Sequence, residues 1–570
     1  MYLCRAYYQH LLMKIRNYLW ALLFLSGGSL TAVGQQRVAF ISDAHIQNIA
    51  DHPELVRSME MQVQSTRLFN ENYYALIAAL DDVARRGITL AVLPGDLTDN
   101  GQFVNQEKIR EILDTYHRRY GIQFFVTTGN HDPVRPFGMQ NEEQGFLRAD
   151  GSRTTQENRC AGYADEMHCY AAFGFYPQPG YVYWETPFTS YRYEDYNYQE
   201  ALREGALDRR QYTLCDSLQA TDASYLVEPV QGLWLLAIDG GVYLPGAVKN
   251  GVQTYQGSSV GYNNVLKHKA FLLPWVRKVV AEAKRRNKIL VTYSHYPLVD
   301  FNDGASGLVR KAWGSRKFDL HRVPDEEVTE AFLEAGIRLH VAGHMHVNDT
   351  GVMRGKNGKC LYNIQVPSIA TCVPAYKILT AEDAEHFEVE TVLLDSVPGF
   401  DSLFGLYEKE YAYDRQAGKS PVWSREALAS ENYAEFCDWQ FRDLVRVRFI
   451  PQDLPEIVRQ KMVTMNGAQL WTYVTGKEAQ TGWGTDWTGH DVIVDLYRLR
   501  YADKLALRQI SDKRLKEYDE LFKAVRRSGA GDELTTRLCE IADIFECFLH
   551  GEPSIHFYID LDTDRITDVE

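Results

Sequence analysis

Five short segments, in order along the chain, carry side chains that bind metals or move protons. They are Asp43-Ala44-His45, Gly95-Asp96-Leu97-Thr98-Asp99, Gly129-Asn130-His131-Asp132, Ser294-His295-Tyr296-Pro297 and Gly343-His344-Met345-His346. Carboxylate oxygens, imidazole nitrogens and the neutral amide oxygen of Asn130 make a mixed donor set that suits Mn, Fe, Zn or Co better than Ca. A single carboxylate can bridge two ions through its two oxygens, and Asp96 is the candidate. His131 can serve as a ligand or as an acid or base. Each segment alone is a common kind of turn; five in order carry the signal. No CxxC pair is present, so a cysteine-based zinc site is not expected.

These residues need strands to hold them, and each segment follows an apolar run. Val38 to Ile41, Leu90 to Leu93, Phe124 to Val126, Ile289 to Tyr293 and Ile337 to Val341 read as buried strands, as does Leu233 to Ile238. Helical periodicity lies between them, at 70–86, 105–119, 268–286 and 325–335. Alternating strands and helices predict an α/β fold. In such folds ligands sit beyond the carboxyl ends of the strands, where the five segments lie.

Read together, the segments match DxH, GDxxD, GNHD, a His after a later strand, and GHxH. From Arg37 to Leu394 the chain thereby resembles the calcineurin-like metallophosphoesterase superfamily. The resemblance implies a sandwich of β-sheets flanked by helices, two divalent metal ions and hydrolysis of phosphoester bonds. It implies Asp43, His45 and His346 on one ion, Asn130, His295 and His344 on the other, and Asp96 bridging. His131 would be catalytic on the leaving-group side, with Asp99 orienting it. Ions about 3.5–4 Å apart can generate a hydroxide for in-line attack on phosphorus while His131 protonates the leaving oxygen. Purple acid phosphatases place Tyr where this chain has Asp99 and use GNHE; protein phosphatases place Arg where it has Asn100. Both subfamilies are therefore disfavoured, and phosphodiesters are slightly favoured over phosphomonoesters. The alternative is a non-catalytic metal-binding or surface interaction protein on the same fold, against which His131 and a full ligand set argue.

Other parts of the chain shape the substrate. Residues 134–225 form a long Tyr-rich insert after the third strand, a possible wall over the metals. Its rings either stack on substrate or pack the insert onto its own sheet. A second loop, 300–323, concentrates Arg310, Lys311, Arg316, Lys317, His321 and Arg322, of which one or two could hold a distal anionic group. Residues 35–398 are read as the catalytic domain and 399–570 as a mainly α-helical domain, with amphipathic stretches near 424–446, 453–467, 512–527 and 534–549.

The N-terminus has Lys14 and Arg16 before a short apolar run and small residues up to Gly34, so residues 1–34 read as a signal peptide. The protein is then exported, periplasmic or secreted, with no membrane span after cleavage. Removing Arg5, Lys14 and Arg16 takes the formal charge from −15 to −18. Such a chain offers no basic field for long nucleic acid, and a small phosphate ester is the expected partner. Export permits disulfides, and Cys160 and Cys169 are close enough in sequence to pair.

Overall fold

A computed structural model describes residues 35–215, 218–249, 251–529 and 531–569. The expected signal peptide, residues 1–34, lies outside them. Among the described residues no helix is long and apolar enough to cross a membrane.

Two seven-stranded sheets form the body. The first contains β1 (Gln36–Phe40), β2 (Leu90–Leu93) and β3 (Gln123–Val126). The second contains β4 (Tyr183–Glu185), β5 (Tyr225–Val230), β6 (Leu233–Ala237), β7 (Ile289–Ser294), β8 (Leu339–Ala342), β9 (Asp349–Arg354) and β10 (Cys360–Gln365). The chain then returns to the first sheet with β11 (Ala375–Ala381), β12 (His386–Leu393), β13 (His556–Asp560) and β14 (Arg565–Asp568). The strand orders are β14-β13-β12-β11-β1-β2-β3 and β9-β10-β8-β7-β6-β5-β4.

Pairing is parallel through β1, β2 and β3 and through β6, β7, β8 and β10. The central strands are buried on both faces, as parallel strands between covering layers are: every residue of Leu90–Leu93, Leu233–Ala237 and Leu339–Ala342 is buried, and among them only His340 is polar. Helices Asn72–Arg85, Phe103–Tyr120, Leu272–Arg285 and Glu326–Glu334 fill the crossovers close to the positions read from periodicity. The calcineurin-like sandwich with a helical C-terminal region is therefore the observed fold.

The hydrophobic packing does not divide at residue 398. Trp423, Tyr433 and Phe436 pack into the core between the sheets. In the other direction Phe301, Phe318, Met345 and Val347 pack into the core of the C-terminal helices. The chain end then pairs as β13 against β12. Helix Gly489–Ala502, absent from the sequence reading, runs through the middle of this second core. Its residues from Val492 to Ala502 are all buried, so it shows no polar face for periodicity to register.

The eight described cysteines are free thiols, which corrects the pairing expected of Cys160 and Cys169. Helix Tyr163–Cys169 lies between them. Cys160 ends the hairpin strand before that helix and Cys169 is the helix's own last residue, so the two thiols sit on different elements.

Candidate metal centre

The five segments leave the carboxyl ends of β1, β2, β3, β7 and β8, three from one sheet and two from the other. Along a strand, residues i and i+2 share a face and neighbours oppose; beyond its end the backbone is free to turn. Here it turns through the left-handed region at Asp43, His45, Asp96, His344 and His346, with φ of 52°, 45°, 51°, 71° and 57°. Non-glycine residues held there cost about 1–3 kcal/mol each and persist where the surroundings over-determine them. The glycines of the motifs supply room. A Cβ on Gly129 would lie 2.0 Å from Asp96 Oδ1, and one on Gly343 would lie 2.0 Å from Ser42 Oγ and 2.5 Å from Asp43 Oδ2.

Two triads of ligand atoms result: Asp43, His45 and His346, and Asp96, His295 and His344. All six residues are buried. Asp96 Oδ2 lies 3.2 Å from His295 Nε2 and 3.6 Å from His45 Nε2, so one oxygen faces both groups. Asn130 Oδ1 lies 3.1 Å from His295 Nε2 and joins the second group. The structure thus brings together all seven residues expected as ligands.

Backbone carbonyls set the tautomers. His45 Nδ1 donates to Thr98 O at 3.3 Å and His346 Nδ1 to Thr66 O at 3.2 Å. Their Nε2 atoms then both carry lone pairs, and they face each other at 3.1 Å. His295 Nδ1 donates to Pro94 O and His344 Nε2 to Ser259 O, each at 2.9 Å. That leaves His295 Nε2 and His344 Nδ1 facing at 3.1 Å. Paired lone pairs repel unless a cation lies between them, and N–H bonds to carbonyls are the usual outer support of metal-bound histidines. The donor set fits two divalent ions.

Charge agrees. Burial opposes ionisation of Asp43, yet His346 and His45 hold its carboxyl well below the usual range. Asp96 is likewise held low, against burial, by His295 and His131. Burial and then Arg67 push His45 down to about 4, and burial and then Arg322 push His344 down. Metal ligation requires charged carboxylates and neutral imidazoles; Asp43, Asp96, His45 and His344 are shifted that way, while, against burial, Asp96 draws His295 the other way.

His131 stands beside this centre. Its backbone N–H donates to Asp96 Oδ1 at 2.7 Å. Its Nδ1 lies 2.9 Å from Asn100 Oδ1. Asn100 Nδ2 donates to Glu143 Oε1 at 2.9 Å, which fixes the amide with its oxygen toward the ring. His131 Nδ1 therefore carries the proton, and Nε2 accepts from Arg67 Nη1 at 3.2 Å. Asp99 contacts other groups: Arg57 at 2.7 Å, Arg67 at 3.1 Å and Gln47 at 2.8 Å. Arg67 Nη2 also lies 3.4 Å from Nδ1, so the guanidinium covers both ring nitrogens; Asn100 is the nearer partner of Nδ1, and Asp99 reaches His131 through Arg67.

The calcineurin-like phosphoesterase family model matches residues 36–348, more than half of the chain and all five segments. The chain belongs to this family. Its fold is similar to that of a dimetal phosphatase from Danio rerio, at 11% identity over 63% of this chain and 96% of that one, with a TM-score of 0.32. It is similar to a purple acid phosphatase from yellow lupin (Lupinus luteus) seeds, at 12% identity over 63% of this chain and 51% of that one, TM-score 0.30. It is also similar to the anchor in the inner membrane complex of Plasmodium, at 10% identity over 63% and 85%, TM-score 0.30. No curated protein matches.

Within the calcineurin-like frame, the Tyr-rich insert packs onto its own sheet. Tyr183 meets Tyr193, Tyr196 and Trp234 at centroid distances of 4.8, 5.3 and 6.0 Å. The insert meets the groups around the centre through hairpin Met139–Cys160: Glu143 accepts from Asn100 and from Arg57, each at 2.9 Å, Gln144 O accepts from Arg57 at 2.8 Å, and the Phe146 ring lies 4.2 Å from the Arg57 guanidinium. Of the basic segment, Arg310, Lys311 and Arg316 are exposed, while Val323, next to Arg322, accepts from Asn263 Nδ2 at 3.0 Å, four residues from Ser259, whose carbonyl holds His344. Arg67 was not legible in the sequence: it sits in a motif-free turn between Ser58 and Asn72, and only tertiary packing brings it to His131.

Proposed function

We propose that this family member is an exported, metal-dependent phosphoester hydrolase that favours phosphodiesters over phosphomonoesters. The observation that carries the hydrolase reading is the pair of facing imidazole nitrogens in each triad, with Asp96 Oδ2 between the triads and His131 at their edge. Two divalent ions bound there, of the Mn, Fe, Zn or Co class, would supply Lewis acidity to a phosphoryl oxygen and acidify the attacking water.

The chain's own residues do the rest. Arg67 is held by Asp99 with its side chain 12% exposed, a charged donor facing the place of a phosphoryl oxygen. His131, locked by Asn100 with Nε2 outward, is oriented to pass a proton at that nitrogen to the leaving oxygen. While Arg67 donates to Nε2, that nitrogen holds no proton, and burial and then Arg67 hold the ring's pKa well below its usual value; with Arg67 turned onto the phosphoryl group, Nε2 takes up the proton released by the attacking water and passes it to the leaving oxygen. The preference for diesters rests on Asp99 and Asn100 at positions where purple acid and protein phosphatases carry Tyr and Arg. Export rests on the N-terminal sequence.

Hydrolysis of mono- and bis-p-nitrophenyl phosphate with added Mn, and with chelator, tests this reading. Turnover lost with chelator, in Asp96→Asn and in His131→Ala supports it. No turnover with any of the four metals would favour the non-catalytic alternative. The ratio of diester to monoester rates decides the preference, and N-terminal sequencing of the mature protein decides the processing.

A further inference from the structure

An excess of positive charge lies where the C-terminal helices meet the metal centre. Phe318 and Asp319 adopt φ of 51° and 52°, so loop 314–323 turns back on itself here. Helix Gly489–Ala502 holds that turn: Arg500 Nη2 donates to Phe318 O at 2.8 Å, and Tyr497 stacks on the Phe318 ring at 4.9 Å. Asp319 then faces Arg500 at 3.7 Å and Arg322 at 3.9 Å. Arg448, from the helical segment after Leu444, donates from Nη1 to Gln64 O at 3.1 Å. Gln64 is two residues from Thr66, whose carbonyl holds His346, and three from Arg67. Arg322 and Arg500 share the one carboxylate of Asp319, and Arg448 and Lys317 both donate to Gln452 and, among the described residues, neither has a carboxylate within 4 Å, so positive charge is in excess here.

This excess is unexpected in a chain with a formal charge of −15. Arg500 is buried with its donors engaged. Lys317 is spent on Gln452 O. Arg322 differs: its nearest acid, Asp319, is 3.9 Å from Nε, beyond hydrogen-bond distance, and its side chain is 28% exposed. A guanidinium with free donors at the mouth of a phosphate site is a ready bidentate anion receptor.

We propose that Arg322 and Arg448 form a second anion subsite on the His344–His346 side of the metal centre, which receives a phosphoryl group of the substrate other than the one attacked. The inference rests on the hydrolase reading for the word substrate, and on geometry alone for the anion site. It gives the C-terminal region a function: its helices shape the loop that carries Arg322 and supply Arg448. The favoured substrates carry two linked phosphoryl groups.

ADP and AMP share a base and a sugar and differ by one phosphoryl group. In the full chain with excess Mn, ADP should bind at least about tenfold more tightly than AMP, read both by titration calorimetry and as competition against bis-p-nitrophenyl phosphate. Arg322→Ala and Arg448→Ala should each shrink that ratio to within about threefold, while Arg310→Ala, exposed on helix Ser306–Trp313 before that loop, should leave it as it is. A ratio near one in the wild type, or a ratio unchanged in both arginine variants, overturns the subsite. Calorimetry needs no turnover, so failure of the hydrolase reading and failure of the subsite are separable. Discrimination without hydrolysis sinks the former alone. Hydrolysis without discrimination sinks the latter alone.

Discussion

The side-chain oxygen of Asn100 lies 2.9 Å from Nδ1 of His131, while Asp99, one residue earlier, holds Arg57 and Arg67 instead. The two neighbours divide the work: the neutral amide sets the tautomer of the ring, and the buried carboxylate anchors two guanidinium groups.

That division predicts distinct kinetics. His131→Ala should lower kcat by about 10²–10⁴-fold, the usual worth of a positioned acid–base group. Asn100→Ala keeps the ring and should cost less. Asn100→Asp places a carboxylate against Nδ1, which raises the imidazole pKa, so the pH–rate profile should move to higher pH. A profile identical to wild type would show that Asn100 does not act on His131.

Asp99 is buried with its carboxyl held well below the usual range: burial opposes that, and Arg57 and Arg67 impose it. Removing one partner from a buried ion pair costs about 3–5 kcal/mol. Asp99→Asn should therefore lower the urea midpoint strongly, and it should raise KM by loosening Arg67. A midpoint within experimental error of wild type would mean the two arginines find other partners.

Metal content is the direct test of the triads. Wild type should carry two equivalents of divalent metal after dialysis, measured by inductively coupled plasma mass spectrometry. Gly129→Ala pushes a methyl group to 2.0 Å from Asp96 Oδ1, so it should lose metal although it alters no ligand. Metal should also raise the thermal midpoint of wild type and not of this variant.

Glu71 gives a pH signature away from the metals. Burial pushes its carboxyl up from 4.5 to about 7, with Tyr407 donating at 2.6 Å as partial relief. A folded-state pKa above the unfolded one means the native protein binds more protons, so stability is full below about pH 4.5 and is lost as pH rises toward 7. The shift is worth on the order of 3 kcal/mol at most. Glu71→Gln should flatten the stability–pH curve over that window; a curve of unchanged slope would assign the loss to other groups.

What could be read without the structure was local. The candidate segments are three to five residues long and follow apolar runs, and their order along the chain carried the family resemblance that implied Asp43, His45, Asp96, Asn130, His295, His344 and His346 as ligands. Helices with one wet face, such as Leu272–Arg285 and Asp512–Ser528, showed their period. Helix Gly489–Ala502 has no wet face and did not. The polar loop 300–323 showed its charge but not that Arg322, rather than Arg310, reaches the centre.

The sequence by itself determined which His, Asp and Asn side chains stand at strand ends, because each is placed by the turn it belongs to and the strand before it. Tertiary structure alone decided the partners. Asn100 faces His131 because Glu143, 43 residues later, holds its amide. Arg67 and Arg448 reach the rim, and β13 and β14 join the first sheet, through contacts whose sequence separation no periodicity records. The physical reason is that side-chain reach is short: a motif fixes what lies within one turn, and only packing fixes which distant donor arrives beside it.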